Sequence, residues 1–108
     1  MSKEKPKLPK HYLSVRERYP KVRVALEELG SAVRNAGPLD VKTGQLIQLA
    51  AAAGTRSEGS VHSHVRRAVE AGATPEEIRH AIILLTSTIG YPAVAAALSW
   101  VDDVLERS

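Results

Sequence analysis

The sequence predicts an all-α fold, a single-domain helical bundle of five or six short helices, on three observations. Apolar residues recur at helical spacing and do not alternate as a strand would require. Glycine and proline fall in the order that stops one helix and starts the next. The chain has no Phe, one Trp and three Tyr, and alanine supplies much of its apolar content. A core of that kind is made by close approach of helix backbones rather than by bulky side chains. A chain of 108 residues has room for one compact domain and little more.

The opening MSKEKPKLPK, with four lysines and two prolines among few apolar residues, reads as a flexible basic tail over residues 1–10, ahead of a domain spanning 11–108. Val22, Ala25, Leu26, Leu29 and Val33 then form one helical stripe, ended by Gly37-Pro38. Asp40 is placed to cap a helix with Leu46, Ile47, Ala50 and Ala53 on its inner side, stopping near Gly54. The next helix runs from about Ser57 to Ala71, with Val61, Val65, Ala68 and Val69 inward and Gly72 as its stop. Thr74-Pro75-Glu76-Glu77 has the form of a capping box with proline at the first helical position, so a helix begins there. That helix, read as 75–89, carries Ile78, Ile82, Leu85 and Ile89 on one side while Ile83 and Leu84 spill onto others, the pattern of a helix buried on most sides. Gly90-Tyr91-Pro92 breaks it. The last helix aligns Val94, Leu98, Val101 and Leu105 beside Ala93, Ala97, Trp100 and Val104, with Ser99, Asp102, Asp103 and Glu106 outward.

Composition limits function. Small side chains bury little area each, at about 25 cal/mol per Å² of apolar surface, so a domain of this size and composition is expected to complete its core against copies of itself. The basic start is not followed by an apolar stretch of signal length, and runs such as LAAAA fall short of the ~20 residues of a membrane helix. A cytoplasmic protein without membrane contact is expected. The four tail lysines lack interleaved aromatics and read as solubilising. The TPEEIRHAI segment and the helix after it have the outline of a helix-turn-helix. The second helix, PAVAAALSWVDDVLE, has no basic residue and three acidic ones, which would repel phosphate, so no nucleic-acid partner is expected. Zero cysteines excludes disulfides, thiolate metal sites and thiol redox chemistry by this chain alone.

The residues that carry chemistry gather in RSEGSVHSHVRRA. On a helix beginning near Ser57, Ser57, Ser60 and His64 follow i, i+3, i+7 spacing and share a face beside the apolar stripe. Glu58, His62 and Arg66 form a second row, better placed for solvent. Ser60 four residues before His64 has the outline of a nucleophile and its base, but no acidic orienter or oxyanion hole accompanies it. The plainer account, with Ser57 capping the helix and Ser60 bonded to its own backbone, is preferred. His62 and His64 diverge, and His80 lies a whole segment away, so no metal is assigned. Arg66 and Arg67 offer a hold for a carboxylate, although neighbouring arginines on a helix are commonly solvated.

Three segments, LDVKTGQLIQLA, HVRRAVEAGATPEEIRHAI and GYPAVAAALSWVDDVL, spanning residues 39 to 105 in that order, resemble the carboxymuconolactone decarboxylase family, which includes the alkylhydroperoxidase D-like proteins. The resemblance implies the family's helical fold and a homo-oligomer, a trimer or a hexamer built from trimers. In the peroxidase-like branch the site is a Glu, a Cys-x-x-Cys pair and a His. Laid onto this chain, those positions fall on Gln45, Ser57, Ser60 and His64. No hydroxyl forms a disulfide or a sulfenic acid, so peroxidase activity is not expected. The decarboxylase branch works without the cysteine pair, on a small carboxylated lactone. What that resemblance implies is a lyase with His64 as candidate general acid and Arg66 or Arg67 holding the carboxylate, without a cofactor. Gln45 keeps the shape of the family's glutamate and loses its proton transfer, which leaves a second expectation open, a catalytically inactive member serving as an oligomeric binding or scaffold protein. In either case Gln45 is expected to come close to Ser57, Ser60 or His64.

Overall fold

The computed structural model describes residues 15–106, so the expected tail over residues 1–10 lies outside the described residues. The described residues form an all-α structure with six helices, α1 (Pro20–Arg34), α2 (Val41–Gly54), α3 (Glu58–Glu70), α4 (Pro75–Ile83), α5 (Thr86–Ile89) and α6 (Tyr91–Leu105), and no strand. The chain groups into two compact units, Met1–Pro38 and Leu39–Ser108.

The first unit contains α1, preceded by a helical turn at residues 15–18. Pro20 sits at the start of α1, where its missing N–H costs nothing. Glu27 holds two arginines, Arg16 Nη2 at 2.9 Å and Arg23 Nη1 at 3.8 Å, the latter one turn away on the same helix. The expected apolar stripe is present as a stripe, but no residue of α1 is buried, and Leu29 is 59% exposed.

The second unit packs α2 to α6 around a core of small and branched residues, among them Leu49, Val61, Val65, Ile78, Ile82 and Val94, each with no exposed surface. Ala53, Ala68 and Ala97 in the same core let the helix backbones approach one another, as the alanine-rich composition requires. On α2 the buried row is Gln45, Leu49, Ala52 and Ala53, whereas the apolar pattern had pointed to Leu46, Ile47, Ala50 and Ala53. Alanine on every side of α2 carries little directional information, and the helix turns instead to bring Gln45 inward and leave Ile47 exposed. On α3, Val61, Val65 and Ala68 are buried, while Val69 is exposed rather than inward.

Two caps fix helix starts. Asp40 Oδ1 accepts from Thr43 N–H at 2.8 Å at the start of α2. At α4 the capping box is complete: Thr74 Oγ1 accepts from Glu77 N–H at 3.0 Å, and Glu77 Oε1 accepts from Thr74 N–H at 2.9 Å. The same Glu77 carboxylate receives Lys42 Nζ of α2 at 3.1 Å, so one cap also ties two helices together.

The single helix expected over 75–89 is divided. Thr86 Oγ1 donates to Ile83 O at 2.7 Å, and Leu85 N–H bonds Ile82 O in a tightened turn, which separates α4 from the one-turn α5. The hinge turns Leu84 outward, 63% exposed, in place of the all-round burial that its apolar girth suggested. Gly90 follows with φ +91° and ψ 153°, a region open almost only to glycine, and from it α6 begins.

Helices α2 and α3 end in the same turn. At α2, Ser57 N–H bonds Ala52 O and Arg56 N–H bonds Ala53 O; at α3, Ala73 N–H bonds Ala68 O and Gly72 N–H bonds Val69 O. Both turns place their fourth corner in the left-handed region, Gly72 at φ +97° and Arg56 at φ +57°.

Candidate functional site

The turn after α2 delivers the chain to Ser57, which occupies the N-cap position of α3. Its side chain makes no capping hydrogen bond, so the plainer account of Ser57 holds for its position and not for its bond. Ser57, Ser60 and His64 are each partly exposed, on the side of α3 next to the buried Val61 and Val65.

Gln45 arrives from α2 and is 4% exposed, the one polar residue buried among the described residues. A buried amide needs partners. His64 Nδ1 and Gln45 Oε1 lie 2.8 Å apart. An amide oxygen only accepts, so in this arrangement Nδ1 carries the proton and donates it, which leaves Nε2 as the nitrogen that can take up or release a proton. Burial, and secondarily the positive charge of Arg67, hold the His64 imidazole below the ordinary histidine value of 6.5. His64 is therefore neutral at neutral pH, oriented by a neutral partner, and its protonated form is a stronger acid than an exposed imidazolium.

Arg66 is partly exposed and Arg67 exposed, and neither is in an ion pair among the described residues. Arg67 acts on His64 electrostatically, and its guanidinium is the positive group nearest the ring that an anion would meet.

In the second row of α3, Glu58 is exposed as expected and Arg66 partly so, while His62 is drawn against α6. The His62 side chain is only 20% exposed, with Nε2 at 3.1 Å from Asp103 Oδ2 of α6 and 3.9 Å from Glu58 Oε2 one turn before it. Asp102, also read as outward, receives Arg79 of α4 through Nε at 3.1 Å and Nη2 at 3.0 Å. Sequence spacing links Glu58 to His62, but Asp103 lies 41 residues along the chain from His62 and carries no local signal of that meeting.

The geometry of Gln45 and His64 stands beside what similarity adds. The carboxymuconolactone decarboxylase family model matches residues 20–103. An "Uncharacterized protein" of Haemophilus influenzae (strain ATCC 51907 / DSM 11121 / KW20 / Rd) is 40% identical over 52 residues, 48% of this chain and 46% of that protein. The chain thus covers about half the length of this curated relative, whose printed description assigns it no activity. No solved structure matches. With a family match that takes in α1 to α6 almost to its end, the chain belongs to the carboxymuconolactone decarboxylase family.

Proposed function

We propose that the chain binds a small carboxylate-bearing molecule of the lactone type beside His64 and that His64 performs acid/base chemistry on it. One observation carries the reading: a buried glutamine spends its side-chain oxygen on His64 Nδ1, which fixes the ring and leaves Nε2 for acid/base chemistry. In decarboxylation the bond to the carboxylate carbon breaks and CO₂ leaves, the electron pair remains on the substrate as a dienolate, and the minor form of His64 that carries a proton on Nε2 delivers it to carbon. Imidazole is regenerated neutral and takes its next proton from water. Gln45 orients the ring and transfers no proton. Arg67, and Arg66 beside it, hold the carboxylate. Thiol peroxidase chemistry has no place in this reading, because the chain contains no cysteine.

A second reading, a family member without chemistry that acts as an oligomeric binding or scaffold protein, is favoured by the amide at Gln45 and the hydroxyls at Ser57 and Ser60, the positions where the peroxidase-like branch has its glutamate and cysteines. Self-association into trimers or hexamers in the cytoplasm belongs to both readings. It is supported by the exposed Ile83 and Leu84 at the α4–α5 hinge, and light scattering that finds a stable 11.7 kDa monomer at micromolar concentration would end it.

Titration of muconolactone-type carboxylates, followed by NMR and by release of CO₂, tests the proposal. Shifts in α2 and α3 that vanish in His64→Ala, with CO₂ release in the wild type alone, are expected. Shifts without CO₂ select the scaffold reading. Equal shifts in both proteins, or none in either, leave His64 a structural residue.

A further inference from the structure

Away from His64, the second row of α3 brings three side chains of metal-binding type to one point. Glu58 Oε2, His62 Nε2 and Asp103 Oδ2 all lie within 4.8 Å of one another, the imidazole being 3.1 Å from Asp103 and 3.9 Å from Glu58. We infer that Glu58, His62 and Asp103 form a site for a divalent transition-metal ion of the zinc or cobalt class.

Three arguments carry this. The first is spacing: ligand atoms about 2.0–2.2 Å from a metal in tetrahedral arrangement stand roughly 3.3–3.6 Å from each other, so small side-chain rotations bring this triangle to coordination geometry. The second is donor chemistry. Two carboxylates and a neutral imidazole supply two negative charges to a divalent ion, and imidazole nitrogen selects transition metals over magnesium or calcium. The third is rigidity, since Glu58 and His62 are one turn apart on α3 while Asp103 comes from α6. Val61 and Val65 on the one helix and Val101 on the other are wholly buried, so the helices cannot slide without breaking the core. Three protein ligands on a partly exposed surface leave coordination positions for water or for an anion. Arg66, next along the row, is a positive neighbour and not a ligand.

The same triangle suits a metal-free cluster in which His62 hydrogen-bonds Asp103, and the experiment separates the two. The full chain, stripped with EDTA, is titrated with Zn²⁺ by calorimetry and with Co²⁺ by visible absorption at neutral pH. Saturable uptake of one equivalent per chain is expected, with a cobalt spectrum of low coordination number. His62→Gln and the isosteric Asp103→Asn should each weaken uptake by about tenfold or more, while His64→Ala leaves it unchanged. Circular dichroism shows whether each variant is folded, and Glu58→Gln, at an exposed position, repeats the test wherever one is not. No saturable uptake, uptake of equal strength in the folded ligand variants, or uptake lost in His64→Ala would each overturn the site.

Discussion

His62 and His64 project from one helix two residues apart, and the surroundings of the two rings are opposite in kind. His64 faces a buried neutral amide from α2, with a guanidinium acting on it from Arg67. His62 faces carboxylates from its own helix and from α6. Two residues along a helix turn the side chain about 200°, so α3 separates a ring beside a positive charge from a ring beside negative ones. The difference teaches that a histidine-rich stretch is read by what each ring meets across the helix, not by how many histidines it contains.

Four substitutions break or sharpen that contrast. The largest effect is expected from Gln45→Ala, which opens a cavity in the core and strips the ring of its partner. Urea unfolding should show a loss of about 2 kcal/mol. A loss below about 0.5 kcal/mol, the usual size of a surface change, would mean that the amide does not hold His64.

Gln45→Glu makes the His64 environment resemble that of His62. A carboxylate against Nδ1 favours the imidazolium, so the His64 protonation midpoint, followed by imidazole NMR in EDTA, should rise by about one pH unit or more. An unchanged midpoint would place the carboxylate out of contact.

Arg67→Ala should also raise that midpoint, by less, because burial is the larger cause of its depression. The sign carries over to stability. With the folded value held below 6.5, the unfolded chain takes up this proton first as pH falls. Folding keeps the whole contribution above pH 6.5 and loses part of it as pH drops through the folded midpoint. Arg67→Ala should make unfolding curves at pH 5 and pH 7.5 more alike, and a wider gap would contradict the charge argument.

Asp103→Asn is the smallest change, costing at most about 1 kcal/mol in metal-free buffer, since the pair is partly in water. It should leave the His64 midpoint where it was, and movement there would show that the two rings are coupled.

The helical frame was legible because its signals are local. Asp40 and Thr74-Pro75-Glu76-Glu77 announce their helix starts within four residues, and both caps are formed. The rotation of α2 was not legible, since its buried row is led by a glutamine whose reason for burial is a histidine 19 residues later. Resemblance to the family, not periodicity, pointed to that meeting. The break at Leu84 and Leu85 escaped a pattern that records apolar side chains and not the backbone oxygen a threonine can bind. Asp103 is exposed, as its outward place predicts, but its pairing with His62 was not legible, because a helix shows its outer face to the sequence and its neighbours only to the fold.

The matched turns at the ends of α2 and α3 pose a different question to mutation and selection. A left-handed corner costs an L-residue about 1–2 kcal/mol that glycine avoids, and Arg56 bears that cost directly before Ser57 while Gly72 does not. A library randomised at position 56 and sorted on protease resistance should drift to glycine. The same library sorted on retention of the proposed carboxylate ligand keeps arginine only where the guanidinium earns its place, so two sorts of one position separate what the backbone wants from what the site uses.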